Sequence, residues 1–215
     1  SPYLQYELGK YGIDCKVIEN VVKLSDYEYI AKEKLQPRLL WMRALQYIYY
    51  PEMAIKVLAG LKNIYPQATL VMAGKDMGLL DKVKDLSIQL NVEDSVTFAG
   101  YVHTNEKTEL AKNTDVYICT NRLDNAPVTF IEMMTLGLPV VSVKVGGIPY
   151  IVKNYENGIY VDFDDVDAMV DAITKLIEDK ELSNKIIKNG LATSKQYGVE
   201  SVVAKWLNLF KKLKN

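Results

Sequence analysis

Two acidic residues, Asp124 and Glu132, stand in the chain with seven residues between them. Asp124 lies in a predicted loop after the apolar run 116–119, and Glu132 lies within the helical pattern that follows. A further apolar run at 139–143 comes next and leads to the pair Gly146-Gly147. This order places a helix N-terminus at the carboxyl end of a sheet, where open α/β folds bind ligands. The free N–H groups and the dipole of such a helix favour an anion, such as a phosphate.

Two basic residues are candidates for holding that anion. Arg43 directly follows the apolar run 39–42, where a side chain should face a ligand, and its guanidinium can contact two phosphate oxygens at once. Lys75 comes shortly after the run 69–73 and is a second candidate. The alternatives are a surface ion pair for Arg43 and plain solvation for Lys75.

Apolar patterning predicts the elements that must position these residues. Short apolar, β-branched runs alternate with helical patterns, and Pro51 opens one helix at the first-turn position that suits proline. The alternation predicts an α/β fold, with a parallel sheet covered by helices on both faces. The predicted strands are 16–18, 39–42, 69–73, 95–99, 115–119, 139–143 and 158–161. The predicted helices are 1–11, one that starts at 51, 77–90, 104–112, 127–136, 165–178 and 199–213.

Composition narrows the class of protein. The 215 residues carry a net charge of −1 with no basic stripe, which excludes a nucleic-acid-binding surface. No apolar run approaches the ~18 residues that a membrane-spanning helix needs. Cys15 and Cys119 lie far apart, and we interpret both as reduced and buried, which is typical of a cytoplasmic protein.

The stretch 118–152 resembles the signature of family 4 glycosyltransferases, the retaining nucleotide-sugar enzymes with the GT-B fold. That signature has two acids separated by seven residues, then an E-A-M-A-x-G-x-P-V-V run and a Gly-Gly turn. Here residues 124–152 read D-N-A-P-V-T-F-I-E-M-M-T-L-G-L-P-V-V-S-V-K-V-G-G-I-P-Y-I-V. A weaker likeness covers V-T-F-A-G-Y-V at 96–102, N-G-I-Y-V at 157–161 and D-A-M-V-D-A-I at 167–173. The resemblance implies a Rossmann-like domain, the C-terminal, donor-binding half of a GT-B enzyme.

The resemblance also implies a domain organisation. Residues 1–22 would be a short helix and linker from the end of an N-terminal domain, and residues 23–215 the nucleotide-sugar-binding domain with its C-terminal helices. The acceptor-binding domain would be missing, so we expect this chain to be inactive alone. The apolar stripe of the last helix is expected to face the core, with docking on the second domain as the alternative. Its members are Val202, Val203, Trp206, Leu207, Leu209, Phe210 and Leu213.

By the same resemblance, three side chains take part in the transfer. Arg43 would grip the donor phosphates, Glu132 would accept hydrogen bonds from the ribose hydroxyls, and Asp124 would contact the transferred sugar. Tyr101 and Val102 would line the base pocket through backbone groups, so side chains do not identify the nucleotide. Backbone groups near the sugar and the diphosphate would come from Asn125, Ala126, Val128 and Thr129.

The chain departs from the family pattern in two places. The family usually has a lysine in a Lys-Gly pair a few residues after the arginine, where this chain reads Y-I-Y-Y-P at 47–51. Lys75 or a tyrosine hydroxyl is expected to take the place of that lysine. Asp124 stands where the family usually has glutamate, and its side chain is one methylene shorter.

Two further features receive structural interpretations. Asp162 and Asp164 form a D-x-D pattern, which glycosyltransferases of another fold use to hold a divalent metal. Because Asp165 directly precedes a predicted helix, we favour helix capping over a metal site. His103, the single histidine, is expected to be solvent-exposed or structural, and no nucleophilic set can be built from it.

The resemblance implies a retaining transferase of polysaccharide biosynthesis. It would move a sugar from a nucleoside-diphosphate sugar to a glycan or lipid-linked acceptor, without metal or other cofactor. We expect a cytoplasmic protein, with peripheral contact to the inner face of the membrane as an option for the full-length form. A catalytically silent nucleotide-sugar-binding module is the alternative function, and a sugar-nucleotide epimerase of GT-B shape fits the signature less well.

Overall fold

A computed structural model describes residues 1–214, and six parallel strands form one sheet within them. The strands are β1 (Arg38–Met42), β2 (Thr69–Ala73), β3 (Val96–Gly100), β4 (Val116–Cys119), β5 (Val140–Val143) and β6 (Ile159–Val161). Their order is β3-β2-β1-β4-β5-β6, and every neighbouring pair runs parallel. This is the strand order of the Rossmann-like, doubly wound fold, so the predicted fold class is confirmed.

Helices cover both faces of the sheet. They are α1 (Pro2–Gly9), α2 (Pro51–Lys62), α3 (Leu80–Gln89), α4 (Thr104–Asn113), α5 (Val128–Leu136), α6 (Ile148–Ile151), α7 (Val166–Glu178), α8 (Lys180–Ser194) and α9 (Val199–Lys214). Helix α2 packs against α7, and α5 packs against α8. None of the helices in this part of the chain is long and apolar enough to cross a membrane.

The side chains of strand β1 pack into two apolar clusters, one on each face of the sheet. Successive side chains of a strand point to opposite faces, and both faces of a central parallel strand are buried. Leu39 and Trp41 accordingly join the apolar cluster with α2 and α7, whereas Leu40 and Met42 join the cluster with α5. All four are at most 5% exposed. The central strand is therefore fixed on both sides, and the residue that follows it is held at a defined place.

The ligand crevice of such a fold lies where the strand order reverses. From β1 the chain proceeds outward to β2 and β3, and then returns to β4 on the other side of β1. Arg43 follows β1, and the loop that holds Asp124 follows β4. The two predicted site residues thus lie on opposite sides of this reversal.

Two sequence-based predictions about the elements are wrong, and one helix was missed. The run 16–18 forms no strand and lies beside α9, where Glu19 pairs with Lys205 at 2.6 Å. Helix α8 was not predicted. Helix 77–90 begins only at α3, because the Asp76 carboxylate accepts N–H bonds from three following residues and forms a turn there.

Two burial predictions also need correction. Cys119 is buried as expected, but Cys15 is only half-buried; both are free thiols. The α9 stripe does not face the core, since Val202 is its single buried residue whereas Trp206 and Phe210 are 44% and 57% exposed. Sequence periodicity identified the apolar face of the helix correctly but could not tell what the face packs against.

Candidate functional site

A pocket of about 350 Å³ lies at the carboxyl ends of β1, β2 and β3, beside the start of α5. The predicted residues Arg43, Lys75, Tyr101, Val102 and Thr129 all line it. The other lining residues are Met42, Ala44, Gln46, Tyr49, Ala73, Gly74 and Lys107. The structure therefore brings the two candidate cations and the predicted base-contacting turn to one cavity at the sheet edge where this fold binds ligands.

Arg43 and Asp124 form an ion pair beside this pocket. The Arg43 Nη2 donates to Asp124 Oδ2 at 3.0 Å, and the two side chains are 11% and 14% exposed. Asn121 Nδ2 donates to the same carboxylate oxygen at 2.7 Å. The buried Arg43 Nε and Asn121 Oδ1 have no hydrogen-bond partner within the described residues. A buried polar atom without a partner is costly, so a ligand acceptor that bonded to Arg43 Nε would relieve that cost.

Glu132 is held by two donors that lie far from it in the sequence. Lys107 Nζ lies 2.8 Å from both carboxylate oxygens, and the Tyr27 hydroxyl donates to Oε1 at 2.6 Å. The Glu132 side chain is 8% exposed and that of Lys107 18%. Burial and the hydrogen bond to Glu132 raise the pKa of Tyr27, so its hydroxyl stays a donor. The Glu132 carboxylate is thereby held in one orientation, against a lysine that lines the pocket.

The loop between β4 and α5 is fixed by the glycine pair. The Gly147 N–H donates to the Asp124 carbonyl at 2.8 Å, and a Cβ on Gly147 would overlap the Asn125 carbonyl oxygen. Gly146 has φ +49°, a conformation that glycine adopts readily. The close approach of the two backbones explains the residue type at both positions.

Helix α5 begins at Val128, and no side chain caps its N-terminus. Pro127 is the N-cap residue, so the first N–H groups of the helix point outward without a side-chain partner. Thr129 lines the pocket and accepts a hydrogen bond from the Tyr117 hydroxyl at 3.2 Å. Of the predicted backbone set, Asn125 and Ala126 lie on the preceding loop and Val128 is the first residue of α5, and none of the three lines the cavity. The start of α5 and the Arg43 side chain border the same pocket, where the helix dipole favours an anion.

The remaining predicted features have structural partners. His103 is exposed, its ring meets that of Tyr101 edge to face, and its backbone N–H donates to the Glu106 carboxylate. Asp165 caps α7 by accepting from the Ala168 N–H at 2.9 Å, and Asp164 accepts from the Tyr50 hydroxyl at 2.8 Å. In the described residues no cluster of three or more His, Cys, Asp and Glu could hold a metal ion.

Sequence reasoning missed three residues of this site. Lys107 reads as one of many solvated lysines in the pattern of α4, and its contact with Glu132 depends on how α4 packs against α5. Asn121 lies in the loop after β4, three residues before Asp124. That position at the carboxyl end of a strand could have identified it as a site residue. Tyr27 gave no signal, because its segment has no regular periodicity.

Comparison with known proteins places the chain among sugar-transferring enzymes. Residues 28–193 match the family model described as glycosyl transferases group 1. An uncharacterized glycosyltransferase of Methanocaldococcus jannaschii is 28% identical over 145 residues, which is 67% of this chain and 37% of that relative. The chain thus spans well under half the length of this relative.

Two solved structures share the fold. TarM of S. aureus, in a complex with fondaparinux, alpha-GlcNAc-glycerol and UDP, has a TM-score of 0.80 and 19% identity, over 98% of this chain and 42% of that chain. The C-terminal domain of the group 1 glycosyl transferase LpcC from Francisella tularensis has a TM-score of 0.71 and 22% identity, over 83% of this chain and 99% of that domain. At such identities the likeness concerns the fold alone.

Proposed function

This chain belongs to the glycosyl transferases group 1 family, and we propose that it is the donor-binding domain of a retaining glycosyltransferase. The donor is a nucleoside-diphosphate sugar, and the acceptor is a glycan or a lipid-linked saccharide that a second domain holds. The protein acts in the cytoplasm, in polysaccharide synthesis, with peripheral membrane contact open to the full-length form.

One observation carries the proposal, namely the free donor on Arg43. The guanidinium is anchored to Asp124 through Nη2, yet its buried Nε has no partner within residues 1–214. It lines the pocket that the uncapped start of α5 also borders. A diphosphate would satisfy both the guanidinium and the helix N-terminus.

The geometry suits a departing diphosphate. Negative charge grows on the leaving phosphate during sugar transfer, and preorganised donors stabilise it. Arg43 is already held in place by Asp124, so little side-chain reorganisation accompanies that charge. Asp124 would contact the transferred sugar and Glu132 the ribose, and the acceptor would attack from the face that the diphosphate leaves. No step needs a metal.

The exposed stripe of α9 supports a second domain. Trp206, Leu207 and Phe210 are 44%, 54% and 57% exposed on one side of the helix. Contiguous apolar surface of this kind marks a contact site. We propose that residues 1–22 and α9 adjoin the acceptor-binding domain and that the chain alone does not transfer sugar.

A catalytically silent nucleotide-sugar-binding module is the second candidate. It is favoured by the engagement of Asp124, whose Oδ2 already accepts from both Arg43 and Asn121. The sequence Y-I-Y-Y-P at 47–51, which replaces the usual lysine, supports it too.

Calorimetric titration of the chain with UDP-, GDP- and ADP-sugars tests the binding proposal. One of these sugar nucleotides should bind, and the matching nucleoside diphosphate should compete with it. Absence of binding by all three would contradict the proposal. Incubating the full-length protein with labelled donor and extracted glycan then separates the two candidates, because only the enzyme moves label to an acceptor.

A further inference from the structure

The site lacks the lysine that usually follows the phosphate-binding arginine, and another cation lies close by. Lys107, on the first turns of α4, lines the same pocket as Arg43. Its ammonium is 2.8 Å from both oxygens of Glu132. The Lys107 side chain is thus largely buried and is held beside the carboxylate that the ribose is proposed to contact.

Counting lone pairs on Glu132 shows a conflict with ribose binding. A carboxylate offers about four hydrogen-bond positions, two on each oxygen. Oε1 already accepts from Tyr27 and Lys107, and Oε2 accepts from Lys107. One position is left, whereas a cis diol that donates from both hydroxyls needs two. Tyr27 or Lys107 must therefore give up a contact with Glu132 when the diol binds, and Lys107 is the one of the two that lines the pocket.

We propose that Lys107 is the second phosphate-binding cation of this site, exchanged from Glu132 to the donor diphosphate as the ribose hydroxyls bind Glu132. The inference rests on the proposed function. The released ammonium stays within the pocket, and the nearest anionic group of a nucleotide whose ribose lies at Glu132 is the phosphate bonded to that ribose. The swap leaves both charged groups hydrogen-bonded, because Glu132 accepts from the ribose hydroxyls and Lys107 donates to phosphate oxygens.

Lys107 suits this role better than Lys75. Lys75 is exposed at the rim, and no ion pair engages it in the described part of the chain, so binding must immobilise a flexible side chain. The Lys107 side chain is only 18% exposed and is already ordered by Glu132. Because the Lys107 side chain is already ordered, nucleotide binding costs it less conformational entropy than it costs Lys75, which favours Lys107 as the phosphate contact.

The test compares nucleoside, nucleoside monophosphate and nucleoside diphosphate, using the base that the sugar-nucleotide screen selects. Each is titrated into the full chain and into Lys107→Met, Lys107→Gln, Lys75→Met and Lys112→Met. Lys112 is the matched control, because it lies on the same helix and pairs with Glu109 at 2.7 Å on the exposed side. Thermal melts confirm that each variant is folded, and Lys107→Gln keeps an amide donor for Glu132 in case the methionine variant unfolds.

We expect Lys107→Met and Lys107→Gln to bind the mono- and diphosphate about 10- to 100-fold more weakly, the range for a hydrogen bond to a charged group. Nucleoside affinity should change by less than about 3-fold, because Glu132 remains and loses a competitor. Lys112→Met should match the parent chain for all three ligands.

Two results would overturn the inference while leaving the proposed function standing. One is an equal loss for nucleoside and diphosphate in the Lys107 variants, which would make Lys107 a structural partner of Glu132. The other is a phosphate-specific loss in Lys75→Met and none at Lys107. If the parent chain binds none of the ligands, the proposed function fails instead.

Discussion

Arg43 and Asp124 extend from strands on either side of the point where the strand order reverses, and their side chains meet at 3.0 Å. The two residues are 81 positions apart in the sequence, and their ion pair joins the segments that follow the neighbouring strands β1 and β4. Both side chains are largely buried, and the Arg43 Nε has no hydrogen-bond partner within residues 1–214.

Replacing Arg43 should weaken diphosphate binding more than nucleoside binding. Arg43→Met should lose about 1.5–3 kcal/mol of diphosphate affinity, as expected for a hydrogen bond to a charged group. The diphosphate affinity of Arg43→Lys should lie between those of the parent chain and Arg43→Met, since an ammonium cannot reproduce the planar fork. Calorimetry with nucleoside and nucleoside diphosphate measures both. An equal loss for the two ligands would place the phosphates elsewhere.

Glu132→Ala should weaken nucleoside binding by about 1.5–3 kcal/mol, because the ribose loses a charged acceptor. Glu132→Gln should lose less, since an amide oxygen still accepts. Glu109→Ala, on the exposed side of α4, is the control and should bind like the parent chain. Unchanged nucleoside affinity in folded Glu132→Ala would show that the ribose does not contact this residue.

Gly147→Ala should destabilise the loop that holds Asp124. The added Cβ would overlap the Asn125 carbonyl, so the backbone must shift, at a cost of about 1–3 kcal/mol. Gly9→Ala is the control, because a Cβ at Gly9 meets nothing within 4 Å. Denaturant unfolding of both variants gives the comparison, and equal stabilities would mean that the loop adapts without cost.

Nucleotide binding should survive a chelator. The proposed diphosphate contacts are Arg43, Lys107 and the start of α5, and the acid nearest the D-x-D pattern, Asp165, is engaged in capping α7. Titration with and without EDTA should give the same affinity. Loss of binding in EDTA, with recovery on added manganese, would transfer the phosphate site to Asp162 and Asp164.

Local sequence patterns predicted the features of this protein that depend on residues close together in the chain. Strand β2 has the predicted bounds, because a β-branched apolar run between helical patterns is a strong signal. Asp124 and Glu132 lie in the predicted loop and helix for the same reason. The contact between Lys107 and Glu132 was out of reach, since it depends on how two helices pack. The exposure of the α9 stripe could not be predicted either, since periodicity identifies the apolar face of a helix but not what packs against that face.

Residues 19–22, which precede β1, contact helix α9 and the turn just before it. The Val22 N–H donates to the Tyr197 carbonyl at 2.8 Å, and Glu19 pairs with Lys205. Helix α9 buries only Val202, so few apolar contacts hold it to the rest of the domain. In hydrogen exchange α9 should lose amide protection well before the central strands, as a low-stability unit. The Rossmann-like sheet would then keep its protection while its outermost layer opens and closes independently.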